Sequence, residues 1–103
     1  MATLHTLQLS VDEQSWLNRA TSSLSSGDGI LLLEDAVSMS CHLPTLEKFN
    51  HLDIDISFYV MDVDLKARGL IPTKAPSSIQ FEIINYQDFV ELSIQFDKVV
   101  NWA

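Results

Sequence analysis

Asp62-Val63-Asp64-Leu65-Lys66-Ala67-Arg68-Gly69-Leu70 lies between two apolar runs, Ile54 to Met61 and Ile79 to Ile84. Aliphatic and aromatic residues dominate both runs, which suits β-strands. Two carboxylates follow the first run, Leu65 to Arg68 reads as a short basic helical piece, and Gly69 stops it. The order is therefore strand, acidic turn, helix, stop and strand.

The same alternation extends outward. Leu4 to Leu9 sends Leu4, Thr6 and Gln8 to one side and His5, Leu7 and Leu9 to the other. Gly29 to Leu33 is continuously apolar behind the tight turn at Gly27-Asp28, as expected of a strand buried on both faces. Ile79-Gln80-Phe81-Glu82 alternates at first, the pattern of an edge or half-covered strand. Helical segments fall between these runs. Ser10 and Glu13 have capping-box spacing ahead of a helix over Asp12 to Ser25. Val37 to Phe49 reads as a helical piece broken near Pro44, and a last helix runs about Tyr86 to Phe96 with Asn85 as its N-cap. Strands alternating with helices predict an α/β fold, a central, mostly parallel sheet of four or five strands with helices on both faces. The functional edge of such a sheet lies beyond the carboxyl ends of its strands, here Ser10, Glu34-Asp35, Asp62 to Asp64 and Asn85.

Composition narrows the classes. The 103 residues make one domain, 1–103, and 47% apolar against 19% charged residues is a globular balance. No apolar run approaches the roughly 20 residues that span a bilayer, and the N-terminus has no secretory pattern. A cytoplasmic location is expected, and a single cysteine fits a reducing compartment. Fourteen acids against six scattered bases give a net charge of −8. Phosphate neutralisation needs clustered Lys and Arg, so direct nucleic-acid binding by the isolated chain and attraction to anionic membranes are both disfavoured.

Few constellations carry chemistry. Glu34, Asp35, Asp62 and Asp64 could hold a hard cation or mimic a phospho-accepting receiver site, but acids at helix starts also serve by complementing the helix dipole. A receiver would need a lysine after a late strand, where this chain has Asn85-Tyr86-Gln87. Cys41-His42 with His51 lacks the paired spacing of a zinc site, so no metal and no cofactor is expected. Cys41 is a weak catalytic candidate, because its neighbour His42 usually points the other way along the chain. The segment from Phe89 to Trp102 carries much apolar surface, which either folds back on the sheet or meets another subunit. Phe89, Phe96 and Trp102 are the aromatic interface candidates, with Lys66 and Arg68 as a local attraction for an acidic partner.

The chain resembles the TusB/DsrH family of sulfur-relay subunits. The resemblance rests on Leu4-His5-Thr6-Leu7, Gly27 to Val37, Tyr59-Val60-Met61 through Asp64, Ala67-Arg68-Gly69-Leu70, Ile84 to Leu92 and Trp102, in that order. It implies an α/β subunit of a dimer of heterotrimers, with TusC-like and TusD-like homologous partners. In one branch such a complex passes persulfide sulfur toward 2-thiolation of the tRNA wobble uridine; in the other it serves sulfur oxidation. The resemblance also implies that the principal sulfur-carrying cysteine belongs to a partner, and that DsrH-type chains carry a further cysteine in the first helix. This chain has none between Asp12 and Ser26, which is the TusB pattern. Ala36 stands where the family usually has glycine after the acidic pair. The alternatives are a DsrH-like role in sulfur oxidation, a standalone sulfurtransferase using Cys41, and a receiver-like domain using the acidic edge.

Overall fold

The computed structural model describes residues 2–8, 22–41, 55–70 and 80–102. Five strands form one sheet: β1 (Thr3–Leu7), β2 (Gly29–Leu32), β3 (Ser57–Met61), β4 (Phe81–Ile84) and β5 (Lys98–Asn101). Their order is β4-β3-β2-β1-β5, and every neighbouring pair is parallel. A 3-10 helix covers Glu34–Cys41, α1 covers Asp62–Ala67 and α2 covers Tyr86–Gln95. The capping box expected at Ser10, the body of the helix over Asp12 to Ser25 and the stretch around Pro44 lie outside the described residues.

The α1 stretch shows how the local code works. The helix begins directly after β3, so the two acids sit in its first turn rather than in a loop ahead of it. Its end is a Schellman motif: the Gly69 N–H donates to the Lys66 carbonyl at 3.2 Å and the Leu70 N–H to the Leu65 carbonyl at 3.0 Å. That reversal needs a left-handed residue, and Gly69 supplies it with φ +63°. Leu65 and Leu70 then pack into the same core cluster. At α2 the Asp88 N–H donates to Asn85 Oδ1 at 2.8 Å, and the Asn85 N–H donates back to Asp88 Oδ2 at 3.1 Å. Asn85 is thus the N-cap the sequence predicts, within a reciprocal capping box.

The central strands β1 and β2 are buried on both sides, as the middle of a parallel sheet requires. On one face Leu7, Ile30, Leu32 and Val60 meet Ala36, Val37 and Met39 of the 3-10 helix and Leu65 of α1. Phe58 and Phe81, directly opposed on β3 and β4, meet edge to face at 5.5 Å on that side. On the other face Leu4, Leu31 and Ile84 pack under Leu92, with Phe89 and Phe96 beside them. The C-terminal segment folds back: β5 closes the β1 edge, held by the Asp97 N–H on the Ala2 carbonyl and the Trp102 N–H on the Thr6 carbonyl, both at 2.9 Å. The C-terminal strand was invisible in the four-run pattern because Lys98-Val99-Val100-Asn101 is short and largely exposed.

Phe96 rests so close over Gly29 that a Cβ there would meet its ring at 2.7 Å and a Leu4 methyl at 3.2 Å. Gly29→Ala should therefore overpack the α2 side of the sheet and cost about 1–3 kcal/mol in urea unfolding. An unchanged midpoint would mean that Phe96 does not hold this position in solution.

Candidate functional site

The most heavily bonded buried carboxylate among the described residues belongs to Asp28, at the entrance to β2. Its Oδ1 accepts from the Thr3 N–H at 2.9 Å, and its Oδ2 accepts from the Ser25 N–H and from His5 Nε2, each at 3.0 Å. Its own backbone N–H donates to the Ser25 carbonyl, and its carbonyl accepts from the Ser57 N–H at the start of β3. Gly27, at φ +92°, makes the turn that presents it. Burial alone would raise the Asp28 pKa, but the hydrogen bonds from His5, Thr3 and Ser25 outweigh it and hold the carboxyl below its ordinary value.

His5 extends the line across the sheet. Its ring is 4% exposed, and its Nδ1 accepts from the Trp102 indole N–H at 2.8 Å while the two rings stack with centroids 6.1 Å apart. An indole nitrogen only donates, so Nδ1 must be the bare nitrogen and Nε2 carries the proton that Asp28 receives. Both ring nitrogens are thus engaged, and neither offers a lone pair or proton to a substrate. Asp28, His5 and Trp102 form a tie from the start of β2 through β1 to the end of β5. The sequence treats Gly27-Asp28 only as a turn and His5 only as an alternating position. The available signal was a histidine in an apolar strand and an aspartate directly before another.

Three acids of this edge, Asp35, Asp62 and Asp64, are paired within the chain. Arg68 Nη2 lies 2.9 Å from Asp35 Oδ1, and its Nη1 lies 3.7 Å from Asp64 Oδ1. Asp64 Oδ2 accepts from the Glu34 N–H at 2.9 Å, which fixes Glu34 in the left-handed region at φ 49°. Lys66 pairs with Asp62 at 3.0 Å. Among the described residues no cluster of three or more His, Cys, Asp or Glu side chains has metal-binding geometry. The two cations proposed to attract an acidic partner, Lys66 and Arg68, already face carboxylates of this chain.

Cys41 is partly exposed and outside any disulfide, with its Sγ 3.7 Å from the Ser40 hydroxyl. It closes the 3-10 helix, at the carbonyl end rather than the amide end that favours a thiolate. His42 and His51 lie outside the described residues. Phe89 and Phe96 pack against the α2-side cluster, and Trp102 packs against the opposite one. All three aromatic candidates are therefore used by the chain's own fold. The large apolar side chains that α2 leaves exposed are Tyr86, Val90 and Ile94.

A profile described as DsrH like protein matches residues 10–99. The chain belongs to the DsrH-like family. It is similar to proteins named Protein TusB: 33% identical over 106 residues to that of Escherichia coli, covering 96% of this chain and 99% of the relative. It is 36% identical over 81 residues to that of Serratia proteamaculans, covering 75% and 77%, and 32% identical over 83 residues to that of Erwinia tasmaniensis, covering 77% and 79%. Among the described residues, no helix of this DsrH-like chain is long and apolar enough to cross a membrane.

Replacing Asp28 by Asn puts an amide NH2 where one carboxylate oxygen stood, against either the Thr3 N–H or the Ser25 and His5 N–H donors. Asp28→Asn should lower stability by about 1.5–3 kcal/mol at neutral pH. The folded-state pKa of Asp28 is depressed, so its contribution is complete above the unfolded value, about 3.9, and fades as pH falls through the folded value. The variant's stability should therefore change less than the wild type's below about pH 4. Urea melts across that range check both statements, and parallel profiles for the two proteins would contradict the second.

Proposed function

We propose that this chain is a non-catalytic subunit of a TusBCD-like sulfur-relay complex, which passes persulfide sulfur toward 2-thiolation of the tRNA wobble uridine. Its partners would be TusC-like and TusD-like homologous subunits in a dimer of heterotrimers, working in the cytoplasm. The observation that carries this reading is the cysteine pattern on a TusB-like chain: Cys41 alone, and no thiol between Asp12 and Ser26. A relay step moves a sulfane sulfur from one thiolate to another, so a carrier needs an activated, accessible cysteine. Cys41 sits at the unfavourable end of its helix, and the one buried histidine among the described residues is committed at both nitrogens. The chain would then contribute shape and surface while a partner carries the sulfur. With a charge of −8 it would meet its relatives rather than tRNA directly.

The description of the matching family favours a second reading, a DsrH-like subunit in sulfur oxidation. The partly exposed Cys41 favours a third, a standalone sulfurtransferase. Deleting the gene should lower 2-thiouridine in tRNA, measured by mass spectrometry of nucleosides, and Cys41→Ser should restore it to near the wild-type level. Normal thiolation in the deletion strain would move the chain to the second reading. A Cys41→Ser strain that assembles the complex but loses thiolation would make the thiol a carrier.

A further inference from the structure

Helix α2 has two unlike faces. Leu92 is buried and Phe89 partly so, while Tyr86, Val90 and Ile94, at steps of four residues, are 64%, 57% and 78% exposed. At 3.6 residues per turn these three lie within roughly 80° of the helix circumference and run about 12 Å along it. They form an apolar strip on the side facing away from the sheet. A polar face would be expected on a surface helix with no partner.

The flank of the strip is acidic. A cleft of about 280 Å³ separates α2 from the edge strand β4, and its lining includes Glu82, Asp88 and Glu91. No lysine or arginine is among its described lining residues. Asp88 is held by the capping box, whereas Glu82 and Glu91 are exposed. The apolar strip and the acidic cleft therefore adjoin, with Glu91 on the helix between them.

We propose that the outer face of α2 and this cleft form one docking surface, for a protein partner whose contact is an apolar ridge bordered by lysines or arginines. Charge selects that occupant. A second copy docked here would bring acids against acids on two chains of −8 each, and phosphate-bearing nucleic acid or anionic lipid would be repelled in the same way. The apolar strip supplies desolvation and the carboxylates supply orientation and discrimination. This inference rests on the reading of the chain as a hetero-oligomer subunit, and it names the face and the chemistry of the contact.

The test uses the full chain with its TusC-like and TusD-like subunits, followed by sedimentation and by titration at several salt concentrations. Val90→Asp combined with Ile94→Asp alters only exposed side chains, and a thermal melt of the variant alone checks its fold. The pair should weaken association at least tenfold with the melt unchanged. Glu82→Gln combined with Glu91→Gln should weaken it several-fold and flatten its salt dependence. Wild-type association by the Val90/Ile94 variant would overturn this docking surface and leave the hetero-oligomer reading standing. Failure of the wild-type chain to associate with either subunit would overturn that reading itself. A wild-type homodimer that the Val90/Ile94 variant disrupts would make a second copy the occupant and overturn the charge argument.

Discussion

The buried carboxylate of Asp28 is the constraint on which the rest of the sheet depends. A charge in this position is tolerable only when every approach to it is a donor, and here the donors come from β1, from the turn at Ser25 and from the His5 ring. Those donors fix where β2 starts relative to β1. The Asp28 carbonyl accepts from Ser57 and so sets the start of β3. His5 passes the constraint on through its second nitrogen to Trp102, which draws the end of β5 against β1. The side chain and backbone of one residue thereby link four of the five strands in the described sheet.

That arrangement bears on what the chain can do. The one histidine among the described residues is spent on structure, and Asp35, Asp62 and Asp64 at the opposite sheet edge are spent on Arg68, on Lys66 and on the Glu34 backbone. Trp102 belongs to the tie, so truncating it acts first on the chain's own fold and only then on any partner. His5 and Asp28 thus point inward, Asp35, Asp62 and Asp64 pair within the chain, and the apolar strip of α2 beside acids faces outward. This distribution suits a subunit that is recognised more than one that reacts.

Much of the fold was legible in the sequence because its determinants are local. The stop at Gly69 follows from a left-handed residue after a short helix, and the N-cap at Asn85 from an amide side chain directly before the last helix. The parallel sheet follows from apolar runs alternating with helical patterns. What escaped depends on contacts between distant residues. His5 and Asp28 are 23 positions apart, and His5 and Trp102 are 97 apart, so no periodicity reports their meeting. The fifth strand escaped for the same reason, since its pairing with β1 rather than its own apolar content makes it a strand. All three members of the hidden tie nevertheless lie in the short stretches that carry the family likeness, Leu4 to Leu7, Gly27 to Val37 and Trp102.

The tautomer of His5 tests the account most directly. Long-range ¹H–¹⁵N correlation of the imidazole ring at neutral pH, with hydrogen exchange of the Trp102 indole followed in the same sample, reads both ends of the tie. A proton on Nε2, a bare Nδ1 and an indole proton protected from solvent are expected. A proton on Nδ1 with a freely exchanging Trp102 indole would contradict the tie, and would leave β5 held to β1 by its backbone ladder and the Thr6–Asn101 side-chain bond.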